Sequence, residues 1–451
     1  MKASLICAPI CALLFAMSIA NAQTPVAPAN YDETQVPRFA MPDALVTFDG
    51  RRVNTPELWN DVRRPELLAA FEEEMYGRLT PNLISSSEIG VPYVHWDSHI
   101  VSDEIVFDGK ATRYHVRIVM FREEVKADPS LGSNAVRLET GPYFTINVLV
   151  YVPNNVQGRV PLFLGLNFQG NHTVSEDPGI PLDRIWRDGR LVQATEEERG
   201  RQSDRWQIEK VIDRGYATAT AHYQEIEPDF NGGSSRGVRA MMDQQNTSDA
   251  GNAIATWAWG LSMIRSALVQ GLGSERLNID PDRIILHGHS RLGKAALWAG
   301  ALDERFAMVI SNNSGCGGAA LTRREFGETV HRINTSFPHW FNENFKKYNH
   351  DVNSLPFDQH ELVALIAPRP VYIASAVEDQ WADPRGEFLS GLHADPVYRL
   401  LGTDGIAGVT EMPGVNQPVG GTIGYHIRTG EHDVTEYDWE QWLNFADRHL
   451  R

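Results

Sequence analysis

Ser290 lies in Gly288-His289-Ser290-Arg291-Leu292-Gly293-Lys294, directly after the apolar run Ile284-Ile285-Leu286 and before the helix-forming stretch Lys294 to Leu302. A strand, a sharp turn with small neighbours and a helix together lift a serine hydroxyl clear of the backbone. They also aim the following amide, here Arg291, at a developing oxyanion. The chemistry implied is acyl transfer through serine. The usual spacing puts a second glycine at position 292; this chain has Leu292 there and Gly293 one residue later, which makes the turn a variant. The competing reading is a helix-capping serine. A serine nucleophile needs a histidine base, itself oriented by a carboxylate. In such strand–turn–helix enzymes the acid comes next in the chain and then the histidine. Val371 to Ser375 reads as a late strand, and Ala376-Val377-Glu378-Asp379-Gln380-Trp381 follows it, so Glu378 and Asp379 both qualify, with Asp379 preferred. His426 and His432 both precede the last helix. Gly430-Glu431-His432-Asp433 is nearer to that helix and more turn-like, which favours His432.

The elements that must position these groups alternate. Arg64 to Arg78 reads as a helix, with Leu67, Phe71 and Met75 recurring every fourth residue. Phe144 to Val152 alternates as a strand, stopped by Pro153 and Asn154-Asn155. Leu162 to Leu166 and Tyr216 to Thr220 read as buried strands. The charged stretch Thr173 to Gln207 between them is expected to be an inserted surface loop. Ile254, Trp257, Leu261, Ile264 and Leu268 mark one face of a long helix, with Ser248 or Asp249 as its cap. Phe306 to Ile310 adds a strand, and Trp439 to Leu450 a closing helix. The expectation is a three-layer α/β-hydrolase-like sandwich, with a mostly parallel sheet between helices, in one catalytic domain over 31–451.

Residues 1–22 read as a signal peptide, with Lys2, an apolar stretch from Leu5 to Ile19, and Ala20-Asn21-Ala22 as a small-x-small cleavage signal. Export, to the periplasm or beyond, is therefore expected. Residues 23–30 read as a disordered leader rich in Pro and Ala. The full chain carries 41 basic and 58 acidic residues, net −17. That balance argues against nucleic acid and against an anionic membrane surface as partners. Of the three cysteines, only Cys316 lies beyond the leader; it reads as a small buried residue in the turn Ser314-Gly315-Cys316-Gly317-Gly318.

Five fixed positions of the serine motif, Gly288, Ser290, Arg291, Gly293 and Lys294, resemble the G-x-S-R-x-G-K elbow of the glucuronoyl esterase family. The similarity extends to Arg64-Pro65-Glu66-Leu67, Gly215-Tyr216-Ala217 and the Trp381 loop. The family cleaves esters between glucuronic acid on xylan and lignin alcohols. The resemblance implies Ser290 as nucleophile and His432 as base, with Arg291 supporting the oxyanion through its side chain as well as its amide. It implies that Lys294 and Glu328 bind ring hydroxyls of the uronic acid and that Trp381 walls the sugar pocket. One departure stands out. Where many members, fungal ones especially, carry a catalytic glutamate, Ile310-Ser311-Asn312-Asn313-Ser314 offers Asn313. Asparagine has no charge with which to stabilise an imidazolium. Some bacterial members place the acid in the later loop, which strengthens the case for Asp379.

The expected partner is a glucuronoxylan–lignin ester, met by a monomer without cofactor or metal. His360-Glu361 lacks the second histidine of a zinc-hydrolase helix. Two rival readings are a serine esterase of other specificity, acting on acetyl or feruloyl xylan, and a non-catalytic glycan-binding protein on a hydrolase scaffold.

Overall fold

The structure, a computed structural model, describes residues 28–79, 93–127, 136–242 and 247–451. The signal-peptide reading and most of the leader lie outside these residues. Ten strands form one sheet. In chain order its members are β1 (Tyr93–Val106), β2 (Ala111–Ala127), β3 (Val136–Pro153), β4 (Val160–Asn167), β7 (Ala217–His222), β8 (Ile279–His289), β9 (Met308–Asn312), β10 (Val371–Ala376), β11 (Val419–Gly420) and β12 (Ile423–Arg428). They lie in the order β1-β2-β3-β7-β4-β8-β9-β10-β12-β11. From β7 to β12 every neighbouring pair is parallel, while β1, β2, β3 and β7 pair antiparallel, as do β11 and β12. A small hairpin of β5 (Arg184–Arg187) and β6 (Arg190–Gln193) stands apart from this sheet.

Strand periodicity of two sorts the core into layers. Leu162, Leu164, Ile284, Leu286, Val309 and Ile373 join one buried cluster, which the helices Ala253–Ser266 and Arg291–Leu302 complete. Phe163, Ile285, Met308, Ile310 and Tyr372 join another, closed by Trp439, Trp442 and Phe445 of the helix Glu436–Leu450. The central strands are therefore apolar on both faces, and the result is the expected three-layer α/β-hydrolase arrangement.

Several readings need correction. The early helix begins at Pro56, not Arg64, and ends at Tyr76 before Gly77 in helical turns of mixed pitch. The cap of the long helix is Asn252, not Ser248 or Asp249. The stretch Thr173 to Gln207 is no bare loop: it holds the β5–β6 hairpin, and Val174, Ile180, Ile185 and Trp206 are buried. Its few apolar residues are spaced to dock a polar segment against the body of the protein. Among the described residues, no helix is long and apolar enough to cross a membrane, and no group of three or more metal-ligating side chains stands together.

Candidate active site

The carboxyl ends of β8, β9, β10 and β12 deliver Ser290, Asn313, Asp379 and His432 to one edge of the parallel sheet, where ligands of α/β folds bind. At the first of these, β8 stops at His289, and Ser290 takes φ 57° and ψ −129°, a conformation side chains rarely adopt. Ser290 sits at the cap position of the following helix without its side chain capping it. Its amide donates to Asn312 O at 2.9 Å, which ties the turn to β9. A Cβ on Gly288 would lie 2.1 Å from Leu292 O, and one on Gly293 3.0 Å from Gly288 O. The turn therefore requires glycine at 288 and leaves only tight room at 293. Leu292 instead points into the core.

Asp379 is 3% exposed at its side chain and His432 41%. Asp379 Oδ2 accepts from His432 Nδ1 at 2.6 Å and from Asn313 Nδ2 at 2.6 Å. Burial raises the Asp379 carboxyl, but the bond and charge of His432 and the Asn313 bond outweigh it and hold it below the usual range. Because an ionised carboxylate only accepts, His432 carries its proton on Nδ1, and Nε2 is left with a lone pair. That is the tautomer a general base needs. The ring of His289 packs 4.4 Å, centroid to centroid, from His432. Burial, with the His432 charge behind it, pushes His289 down to about 3, so a neutral ring backs His432.

The competing residues are placed elsewhere. His426 is fully buried between Asp438 Oδ1 at 2.9 Å and Tyr372 Oη at 3.0 Å. Glu378 is exposed and turned to solvent. Lys294 is buried; its ammonium donates to Cys316 O at 2.7 Å and to Ser314 O, and lies 3.7 Å from Glu328 Oε2. Burial pushes the Glu328 carboxyl up although Lys294 opposes the shift. The Glu328 amide donates to Trp381 O at 3.0 Å, and Trp381 is 40% exposed at the rim. Lys294, Glu328 and Trp381 thus form one contiguous group beside the elbow. Cys316 is buried, and burial pushes its thiol well up.

A family model described as "Glucuronyl esterase, fungi" matches residues 203–402. Carbohydrate esterase MZ0003, from an unknown prokaryotic organism, is 43% identical over 438 residues, covering 93% of this chain and 92% of its own. The solved glucuronoyl esterase from Solibacter usitatus is 42% identical with a TM-score of 0.80, over 93% of this chain and 100% of that one. The chain belongs to the glucuronoyl esterase family. It is a carboxylic ester hydrolase. A third similar protein is a promiscuous esterase of carbohydrate esterase family 15, from the marine bacterial metagenome. It is 43% identical, with a TM-score of 0.79, over 94% of this chain and 100% of that one.

Around this site the sequence reading missed three supports. Asn313, read only as a lost acid, is a donor to Asp379, and its left-handed φ of 46° suits an asparagine. Glu387, on the helix Pro384–Leu400, accepts from the amides of Ser314 at 2.7 Å and Gly315 at 3.0 Å. Its other oxygen accepts from Ser375 Oγ at 2.6 Å, so it ties the end of β9 to β10. Burial pushes the Glu387 carboxyl up to about 8. Asp229, in the loop after β7, pairs with Arg291. Its position past the end of a parallel strand was the only signal of it in the sequence.

Proposed function

We propose that this protein hydrolyses esters of glucuronic acid, with or without a 4-O-methyl group, through an acyl-enzyme on Ser290. His432 Nε2 takes the Ser290 proton as Oγ attacks the ester carbonyl. Asp379 stabilises the imidazolium that results. The Arg291 amide and guanidinium receive the oxyanion. Collapse of the tetrahedral adduct expels the alcohol, which takes its proton from His432. Water, deprotonated by His432, then attacks the acyl carbon and releases the uronic acid and Ser290.

The observation that carries the choice of acyl group is the buried Lys294–Glu328 pair beside the elbow. Two of the three ammonium protons go to backbone carbonyls, which leaves one for a ring hydroxyl, with Glu328 as the matching acceptor. A relative from Podospora anserina, 37% identical over 177 residues, is named 4-O-methyl-glucuronoyl methylesterase, which supports the same reading. Lignin–carbohydrate esters outside the cytoplasm are the proposed setting, in keeping with the leader-like residues 1–22.

The similarity to a promiscuous relative favours a second reading, broad action on smaller acyl groups. One assay separates the two: kcat/KM on benzyl glucuronate and on an aryl acetate, for the native enzyme and for Lys294→Ala. Loss of a hydrogen bond to a charged group costs about ten- to a hundredfold, and the loss is expected on the glucuronate alone. Equal losses on both esters refute a sugar-binding role for Lys294.

A further inference from the structure

The carboxylate of Asp229 is fully engaged. Oδ2 accepts from Tyr223 Oη at 2.8 Å and from Arg291 Nη1. Oδ1 accepts from Trp340 Nε1 at 2.7 Å and from His339 Nε2 at 2.8 Å. An ionised carboxylate offers about four lone-pair sites, so no rotational freedom remains. Burial raises this carboxyl, but the His339 bond, the Arg291 charge and the Trp340 bond outweigh it and hold Asp229 at about 2. Burial also pushes the Tyr223 phenol well up, which keeps it a donor.

The guanidinium on the other side is boxed by rings. Its carbon lies 4.7 Å from the centroid of Trp340, 5.5 Å from Phe337 and 5.9 Å from Phe168. Phe337 and Trp340 are themselves stacked, 3.8 Å apart and within 5° of parallel. Trp340 therefore holds both members of the pair, the carboxylate by its N–H and the guanidinium by its face. Yet 27% of the Arg291 side chain is exposed, so the clamped pair is not sealed from solvent.

We infer that Asp229 is the positioning residue for the catalytic arginine, aiming the Arg291 guanidinium at the oxyanion, with Tyr223, His339 and Trp340 holding Asp229 in turn. The inference rests on the oxyanion role proposed above for Arg291. Two effects compete. The Asp229 charge weakens the field of Arg291 at the reacting carbonyl, while the clamp removes the motion of a long side chain before reaction begins. Three neutral or histidine donors share the carboxylate, which draws its charge away from Arg291 and lets preorganisation win.

The test is a double-mutant cycle on benzyl glucuronate and an aryl acetate. Asp229→Asn is expected to lower kcat about ten- to a hundredfold on both esters with KM unchanged. In an Arg291→Ala background the same substitution should cost less than about twofold, because there is no guanidinium left to aim. Tyr223→Phe, which removes one donor and keeps the ring, serves if Asp229→Asn fails to fold. It should lower kcat about threefold, and that loss should also vanish beside Arg291→Ala. Undiminished losses beside Arg291→Ala, or losses in KM alone, overturn the inference while leaving the oxyanion role standing. A wild-type kcat for Arg291→Ala overturns the oxyanion role and the inference together.

Discussion

Two histidines six residues apart, His426 and His432, each pair with an aspartate, and the differences between the pairs show what a proton-transfer role requires. His426 and Asp438 are both 0% exposed, and every polar atom of theirs is spoken for. Asp438 also takes Arg428 Nε at 2.7 Å, Asn312 Nδ2 at 3.2 Å and the amide and hydroxyl of Thr435; Tyr372 closes the far side of His426. His432 and Asp379 share a shorter bond of 2.6 Å, but only the aspartate is buried. One ring nitrogen of His432 is fixed and the other is presented outward. The first pair pins the closing helix to β12; the second leaves Nε2 open, as the proposed base requires. A fully buried pair with every polar atom bonded can only hold the fold together, whereas a half-exposed one has a free nitrogen to work with.

The largest expected break in this comparison comes from the acids. Asp379→Asn should lower kcat by about 10³- to 10⁴-fold with only a modest drop in Tm, since it leaves His432 without the charge that stabilises its imidazolium. Asp438→Asn should do the opposite: a loss of about 3–5 kcal/mol in stability, read by denaturant unfolding, with kcat per folded molecule near the native value. A large kcat loss for Asp438→Asn at unchanged stability contradicts the division.

Asn313→Ala sharpens the comparison with a smaller effect. It should lower kcat by roughly tenfold, the equivalent of one hydrogen bond of about 1.4 kcal/mol. The Asp379 carboxyl is depressed in the folded state. Its contribution to stability is thus full above the unfolded value near 3.9 and is lost as pH falls through the folded value. Without the Asn313 bond the folded value rises, so acid unfolding should begin at higher pH. Thermal melts in a series of acidic buffers read this directly; coincident curves for native and Asn313→Ala proteins exclude the role.

Glu387→Gln should affect turnover least. Glu387 is raised to about 8 in the folded state, so the neutral form favours folding, and that advantage fades as pH rises from the unfolded value to about 8. Glutamine, neutral throughout, should flatten the decline of Tm between about pH 5 and pH 8. An unchanged slope shows that Glu387 is ionised in the native state.

The elbow was legible because its requirements are local. Gly288 and Gly293 face backbone oxygen within five residues, and the apolar strand before them reads directly from Ile284-Ile285-Leu286. Asp379 and His432 read as candidate loop residues, His432 preferred to His426 as nearer to the closing helix and more turn-like, and the structure joins the two by a hydrogen bond. The supports were not legible. Asp229 meets Arg291 across 62 residues and Trp340 across 111, contacts to which no local pattern points. Asn313 read as the absence of a carboxylate, since its partner lies 66 residues on. At the antiparallel end of the sheet, β3 was read as Phe144 to Val152, while β1 and β2 were missed for a different reason. β1 interrupts its own alternation with a register shift between Ile100 and Ser102, in a stretch dense in His, Asp and Ser.

The most direct test exchanges the two histidines in one experiment: kcat on benzyl glucuronate and Tm, measured together for His432→Ala and His426→Ala. His432→Ala should lose about three or more orders of magnitude in kcat while melting close to the native protein, because members of a triad act as a unit. His426→Ala should melt well below the native protein and, kept folded at low temperature, turn over at close to its rate. The reverse pattern, a stable but inactive His426→Ala beside an active His432→Ala, contradicts the account.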